Sequence, residues 1–123
     1  MGNPVVHFEL IGKDGEALKS YYSEMFGWEI NSDNPMNYGV VDREQNQNAE
    51  GIGIGGGIMG MDGGASYLTV YVEVEDCAAA LAKAEELGGK RVMGPDEVPG
   101  QNIRIGQFED PEGHMMGVLE NLG

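Results

Sequence analysis

The segment HFELIGKDGEALKSYYSEMFGWEI, residues 7–30, decides the fold because a second segment repeats its pattern. The second segment, TVYVEVEDCAAALAKAEELGGKRV, covers residues 69–92 and lies 69 − 7 = 62 positions further along the chain. In each segment an alternating strand pattern is followed by an acidic residue, an amphipathic helix pattern, glycine and a further strand. The chain of 123 residues therefore consists of two copies of one unit, each about half its length.

The helix boundaries can be predicted in both copies. Asp14 and Asp76 are predicted N-caps, because a short acidic side chain accepts hydrogen bonds from the first helical turn. Gly27 and the glycine pair at 88–89 are predicted stops, since glycine tolerates the left-handed conformation that ends a helix. The apolar stripes expected to face the core are Ala17, Leu18, Tyr21, Tyr22 and Met25 in the first helix and Cys77, Ala80, Leu81, Ala84 and Leu87 in the second.

Further strand candidates follow each helix and complete a β-α-β-β-β order in both copies. They are residues 37–43, 51–59, 102–108 and 114–120. The sequence DPEG at 110–113 has the residues of a tight turn between the last two. We expect an α+β fold and a single domain over residues 1–123, with repeats at about residues 4–60 and 65–121. The two repeats are expected to form a cupped mixed sheet with a helix behind each half.

Composition narrows the class of protein. The formal net charge is −14, from 7 basic and 21 acidic residues, so we expect neither a nucleic-acid nor a membrane partner. No apolar run approaches the roughly 20 residues of a membrane span, and the first residues lack the pattern of a signal peptide. The one cysteine, Cys77, cannot form an internal disulfide, which favours a reducing, cytoplasmic location.

A glycine-rich segment, GIGIGGG at 51–57, contains the spacing of a dinucleotide-binding motif. That motif needs a helix directly after it, because the helix N-terminus binds the pyrophosphate. The sequence that follows, IMGMDGGAS at 58–66, does not have a helical pattern, which argues against a nucleotide cofactor. The alternating glycines instead predict a strand with one face bare of side chains, leaving room for a bulky ligand or another backbone.

The duplicated unit, the helix endings SYYSEMFGWEI and EELGGKRV, and the hairpin FEDPEGHMMGVLE together resemble the vicinal oxygen chelate superfamily, over roughly residues 4–121. This superfamily includes glyoxalase I, extradiol dioxygenases, fosfomycin-resistance enzymes and bleomycin-binding proteins. The resemblance implies a cavity between the two sheets that binds a small molecule, and it implies a homodimer. In metal-dependent members, His or Gln and Glu side chains from strands of both units hold a divalent ion, which acts as a Lewis acid.

Only one of the four metal positions implied by the resemblance carries a ligating side chain in this sequence. His7 matches the first-strand ligand, and its counterpart in the second unit is Thr69, a poor ligand. The glutamate position falls on Gly117 in the second unit and on Gly55 in the first. A single imidazole does not hold a metal against water. We therefore expect a metal-ligand-depleted member of the family, without a metal ion or another cofactor.

The site predictions concern strand faces that carry polar side chains. His7 and Glu9 share the mixed face of the first strand and are the acid–base candidates, because an imidazole with a pKa of about 6.5 suits proton transfer. The alternative is that both only bond to neighbours and hydrate the groove. Arg104 either binds a carboxylate or phosphate of a ligand or is a surface arginine. The predicted ligand-binding residues are Tyr67, Thr69, Tyr71, Arg104, Gly55, Gly117 and Met115.

Two functions remain open at the level of the sequence. In the first, the protein is a glyoxalase-like lyase or isomerase that acts on a small oxygenated or aromatic molecule without the usual metal. In the second, it is a non-catalytic protein that sequesters a drug or metabolite, as the bleomycin-binding members do. The negative charge would favour a cationic ligand for the second function.

Overall fold

A computed structural model describes residues 2–123 of the chain. The described residues form two compact units, one of residues 7–68 and one that combines residues 2–6 with residues 69–123. The predicted α+β class is confirmed, and so are the two β-α-β-β-β repeats. Among residues 2–123, neither helix has the length and apolar character needed to cross a membrane.

The unit of residues 7–68 contains four strands in the order β2-β3-β4-β1. Strand β4 runs parallel to β1 and antiparallel to β3, so this part of the sheet is mixed. A short 3-10 helix at Arg43–Gln45 follows β3. The elements are β1 (Val5–Gly12, in this unit from residue 7), α1 (Gly15–Phe26), β2 (Ile30–Asn31), β3 (Gly39–Val41) and β4 (Gly55–Gly60).

Helix α1 begins and ends where the sequence predicts. The side chain of Asp14 accepts a hydrogen bond from the backbone nitrogen of Ala17 at 3.0 Å. Gly27 adopts a φ of 73°, which is left-handed, and its backbone nitrogen donates to the carbonyl of Ser23. The two caps satisfy backbone groups that a helix leaves unpaired at its ends.

The predicted apolar stripe of α1 is wrong in part. Lys19 is the buried residue of the helix, whereas Tyr21 and Met25 are 60% and 61% exposed. A prediction from hydrophobic periodicity places every lysine on the exposed face of a helix. An ammonium group can nevertheless be buried when it finds enough acceptors, and the Lys19 ammonium bonds to Glu16 and Asn37.

Aromatic rings cover the face of β1 that lies toward α1. The ring centroids of Phe8 and Trp28 are 5.3 Å apart. Phe8 also lies over Gly56, where an added Cβ would overlap its ring. Because successive side chains of a strand point to opposite faces, His7 and Glu9 lie on the other side of β1.

The unit that contains residues 69–123 has the strand order β5-β8-β7-β6. Strand β8 runs parallel to β5 and antiparallel to β7. The core beneath α2 contains Cys77, Leu81 and Val118, which are at most 4% exposed. The predicted stripe of α2 holds except at Leu87, which is 70% exposed. The elements are β5 (Tyr67–Glu73), α2 (Cys77–Glu86), β6 (Lys90–Val98), β7 (Ile103–Glu109) and β8 (Met115–Asn121).

The N-cap of α2 gives a first testable prediction. The Asp76 carboxylate accepts from the backbone nitrogen of Ala79 at 3.0 Å, so Asp76→Ala should lower the free energy of unfolding by about 1 kcal/mol. Urea denaturation measures this change. Asp76→Asn keeps the accepting oxygen and is expected to stay within about 0.5 kcal/mol of the unmodified chain. Equal losses in both variants would contradict the capping role.

Candidate functional site

Three side chains form a hydrogen-bonded group on the face of β1 that is opposite α1. His7 and Glu9 are two positions apart on β1 and therefore point the same way. Tyr38, the residue before β3, places its hydroxyl 2.8 Å from Nε2 of His7. The same hydroxyl donates to Oε2 of Glu9 at 3.0 Å. All three side chains are partly buried, and we name the group the His7–Tyr38–Glu9 network.

The hydroxyl determines where the hydrogens of the network lie. A phenol has one hydrogen, and in this arrangement it goes to the carboxylate of Glu9. When Glu9 is ionised and accepts the phenol hydrogen, the bond to His7 takes its hydrogen from the imidazole, which would place the hydrogen on Nε2 and the ring lone pair on Nδ1. Nδ1 is the atom of the ring that can accept a proton, and Glu9 would stabilise the resulting imidazolium through Tyr38.

Burial lowers the pKa of His7 below its ordinary value. Removal of water disfavours the charged imidazolium more than the neutral ring. The neutral form therefore predominates at neutral pH, and this is the form that can remove a proton from a ligand.

The lowered pKa of His7 predicts a pH dependence of stability. Because the unfolded chain takes up the proton at a higher pH, the contribution of neutral His7 to stability is complete above the unfolded-state pKa. It falls as the pH drops from the unfolded-state to the folded-state pKa, and it then levels off. NMR titration of the His7 ring, with the urea-unfolded chain as reference, should give the lower pKa in the folded state. An equal or higher folded-state pKa would contradict the prediction.

Glycines of β4 provide the space that Tyr38 fills. At Gly57, an added Cβ would overlap the phenol ring of Tyr38. At Gly55, an added Cβ would lie 2.8 Å from the carbonyl oxygen of Val41. The face that the alternating glycines leave bare is therefore occupied by a ring and by backbone of the same chain. This corresponds to aromatic rescue of glycine in a sheet, in which a neighbouring ring covers the missing side chain.

A second tyrosine covers a glycine in the unit of residues 69–123. Tyr71 is 3% exposed and lies against Gly117, its partner in the pairing of β5 with β8. Its hydroxyl accepts a hydrogen bond from Nε2 of Gln107 at 2.8 Å. This group is buried and uncharged, whereas the His7–Tyr38–Glu9 network contains ionisable groups and is partly exposed.

Other predicted ligand-binding residues of this unit bond to the chain itself. Thr69 is buried, and its hydroxyl donates to the carbonyl oxygen of Met115 at 2.8 Å. Arg104 lies on the α2 side of β7 and forms ion pairs with Glu97 and Glu120, each at 3.4 Å. Arg104 therefore does not share a strand face with Tyr71 and Gln107, and a ligand anion would compete with two carboxylates for it.

Tyr67, another predicted ligand-binding residue, lines a groove on the surface. This groove, of about 570 Å³, lies beside α1 and is also lined by apolar side chains such as Leu18 and Tyr21. A second groove, of about 390 Å³, is lined by polar residues that include Glu16 and Lys19. Neither groove is lined by a side chain of the His7–Tyr38–Glu9 network.

The donor atoms of the described chain do not fit a resident metal ion. Within residues 2–123, no three His, Cys, Asp or Glu side chains come together as metal ligands would. The two positions implied for glutamate are glycines, one covered by Tyr71 and the other by backbone of Val41. The expectation that the protein uses no cofactor stays a prediction, which elemental analysis of the purified chain can check.

Two residues of these groups carry hydrogen bonds that the sequence pattern did not assign. Tyr38 falls within the strand candidate at residues 37–43, and the sequence indicates no partner for it. The row of glycines in the strand beside His7 and Glu9 is the feature of the sequence that could have indicated an aromatic ring packed over them. Gln107 shares its strand face with Ile103 and Ile105, and a polar residue in an apolar row indicates a buried bond.

Comparison with known proteins assigns the family. Residues 5–118 match the sequence model of the Glyoxalase/Bleomycin resistance protein/Dioxygenase superfamily. The chain belongs to this superfamily. A search of curated proteins found no match.

Solved structures with similar folds cover almost the whole chain. A superfamily member from Vibrio splendidus 12B01 is 13% identical with a TM-score of 0.64, over 97% of this chain and 99% of that one. Streptomyces coelicolor methylmalonyl-CoA epimerase, in complex with 2-nitronate-propionyl-CoA, is 12% identical with a TM-score of 0.63, over 98% and 99%. The Mycobacterium tuberculosis methylmalonyl-CoA epimerase is 15% identical with a TM-score of 0.62, over 97% and 88%. At such identities the likeness shows the fold alone.

Proposed function

We propose that the chain binds a small oxygenated or aromatic molecule at the His7–Tyr38–Glu9 network and moves a proton on it, as a glyoxalase-like isomerase or lyase that works without the usual metal. The observation that carries the proposal is the position of the Tyr38 hydroxyl, 2.8 Å from Nε2 of His7 and 3.0 Å from Oε2 of Glu9. A base linked through a hydroxyl to a carboxylate is suited to accept a proton and to hold the charge that results.

The proposed step is proton transfer at a carbon next to a carbonyl group. Nδ1 of His7 takes the proton, and the electron pair of the broken C–H bond moves onto the carbonyl oxygen as an enolate. The imidazolium then returns the proton to the same face of the enolate, either to that carbon or to a neighbouring atom. Atoms and electrons balance within the substrate, so isomerisation needs no co-reactant. Glu9 and Tyr38 keep Nε2 protonated throughout the step.

Charge limits the class of substrate. The names of the epimerases reported above include coenzyme A, which is a polyanion. The present chain has a net charge of −14 and 7 basic residues. Of its arginines, Arg91 pairs with Glu85 at 3.0 Å and Arg104 pairs with Glu97 at 3.4 Å. A neutral or cationic carbonyl compound therefore suits the chain better than a coenzyme A thioester.

Deuterium exchange tests the proposal directly. The chain is incubated in D₂O with small hydroxyketones, the hemithioacetal of methylglyoxal, and methylmalonyl-CoA, and loss of the C–H signal is followed by proton NMR. We expect exchange above the His7→Gln background with a neutral compound, unchanged by EDTA. Exchange with none of the compounds, or exchange that EDTA abolishes, would count against the proposal.

The net charge of −14 supports a second function, which is sequestration of a cationic aromatic molecule without turnover. A ligand that binds only the folded chain raises its melting temperature with concentration. Stabilisation by aromatic cations, without deuterium exchange in any carbonyl compound, would favour this function over the isomerase. Absence of stabilisation across a broad set of cations would remove its support.

The expected homodimer and cytoplasmic location also stay predictions. Light scattering after size-exclusion chromatography distinguishes a dimer from a monomer of 13.2 kDa. Cell fractionation with an antibody against the chain reports the location.

A further inference from the structure

Tyr38 is held by its backbone as well as by its hydroxyl. The side chain of Asn34 bonds to both backbone groups of Tyr38. Its Oδ1 accepts from the Tyr38 nitrogen at 2.9 Å, and its Nδ2 donates to the Tyr38 carbonyl oxygen at 2.7 Å. A single amide side chain therefore fixes the residue that bridges the network.

Lys19 holds the residue before Tyr38. Its Nζ donates to the carbonyl oxygen of Asn37 at 2.8 Å and lies 3.3 Å from Asn37 Oδ1. Oε2 of Glu16 accepts from Lys19 Nζ at 3.1 Å and from Asn37 Nδ2 at 3.0 Å. Lys19 is only 7% exposed. Burying an ammonium group costs free energy unless its hydrogens are bonded, and these acceptors supply the bonds.

The backbone at Asn37 shows why such support is needed. Asn37 has a φ of 53°, in the left-handed region that non-glycine residues rarely adopt. The chain turns there, three residues after Asn34 and two residues before the first residue of β3. The peptide that joins Asn37 to Tyr38 is fixed at both ends, because Lys19 bonds its carbonyl oxygen and Asn34 bonds its nitrogen.

We infer that Lys19 and Asn34 are positioning residues, which hold the Asn37–Tyr38 peptide so that the phenol lies between His7 and Glu9. Both act through Tyr38 and are not catalytic residues. The consequence for proton transfer rests on the proposed function. The placement of Tyr38 can be measured without any substrate.

The experiment uses the full chain labelled with ¹⁵N-histidine. Long-range ¹H–¹⁵N spectra distinguish which ring nitrogen carries the hydrogen, and the two histidines are told apart with His114→Gln. The unmodified chain should show the Nε2–H form of His7. Lys19→Met and Asn34→Leu should each replace it by a mixture of tautomers, because the hydroxyl of Tyr38 no longer holds that hydrogen.

The control is Asn46→Ala. Asn46 Nδ2 donates to the backbone oxygen of Asp42 at 2.6 Å, so this variant removes a similar bond from another loop. Its His7 spectrum should match that of the unmodified chain. For any compound that the unmodified chain deuterates, Lys19→Met and Asn34→Leu should slow exchange by about 10–10²-fold, the scale of a small misplacement of catalytic groups.

The outcomes separate the inference from the proposed function. A folded Lys19→Met or Asn34→Leu chain with the unmodified His7 tautomer would overturn the inference. Failure of both variants to fold would overturn it as well, because the inferred role is local to the peptide before β3. Absence of exchange in the unmodified chain, combined with the expected tautomer changes, would reject the proposed function and leave the positioning role intact.

Discussion

Replacing His7 by glutamine is expected to slow deuterium exchange by about 10²–10⁴-fold, the usual contribution of a positioned acid–base group. Glutamine can still bond to the Tyr38 hydroxyl, but its amide cannot accept a proton near neutral pH. The loss should therefore be in the rate of exchange rather than in the stability of the chain. Proton NMR in D₂O measures the rate, and urea denaturation measures the stability.

Two matched variants help to interpret the loss of exchange in His7→Gln. Tyr38→Phe keeps the ring over Gly57 and removes only the hydroxyl, so we expect a smaller loss of about 10-fold, or about 1.4 kcal/mol. His114→Gln replaces the other histidine, whose side chain is 74% exposed and bonds to Asp110 at 3.0 Å. It should exchange at the unmodified rate. Equal exchange by His7→Gln and His114→Gln would exclude His7 as the base.

Adding a methyl group at Gly117 is expected to lower the free energy of unfolding by about 1–3 kcal/mol, the usual cost of overpacking a core. The new Cβ would overlap the ring of Tyr71, which is 3% exposed and bonded to Gln107, so the ring cannot move into solvent without breaking that bond. Urea denaturation of Gly117→Ala measures the loss.

The same change at Gly57 should act mainly on the network. Tyr38 is less buried than Tyr71, so its ring can move at a smaller cost in stability, but its hydroxyl then leaves His7 and Glu9. Gly57→Ala should therefore slow exchange, and it should lower the free energy of unfolding by less than Gly117→Ala does. Gly2→Ala is the control, because an added Cβ there meets no atom within 4 Å. If Gly117→Ala were as stable as Gly2→Ala, the packing of Tyr71 on glycine would be of no energetic importance.

The elements of the fold could be predicted because their signals are local. Asp14 and Asp76 cap helices whose first turns lie within three residues of them, and Gly27 ends α1 through its own backbone conformation. The stripe of α1 could not be predicted to the same extent. The burial of Lys19 depends on Asn37, which is 18 residues away and reaches the helix only in the folded chain.

The candidate site shows the same limit. His7 and Glu9 share a face because of strand alternation, which the sequence shows directly. Tyr38 joins them from 31 and 29 positions away, and its place depends on the turn at Asn37 and on the missing side chain of Gly57. Periodicity records which residues are apolar, but it contains no information about which distant side chain fills a gap.

The tyrosines that lie over glycines also constrain how this chain could change during evolution. A Gly117→Glu substitution would place a carboxylate where the family resemblance implies a metal ligand, but Tyr71 occupies that space, and Gln107 bonds to Tyr71. The substitution alone would be harmful, and a smaller residue in place of Tyr71 would leave a cavity in the core. We expect the two changes to be tolerated only together, which would be epistasis between contacting residues. Stepwise routes between glycine and glutamate at position 117 would therefore pass through less stable intermediates, which a double-mutant cycle at Tyr71 and Gly117 would measure.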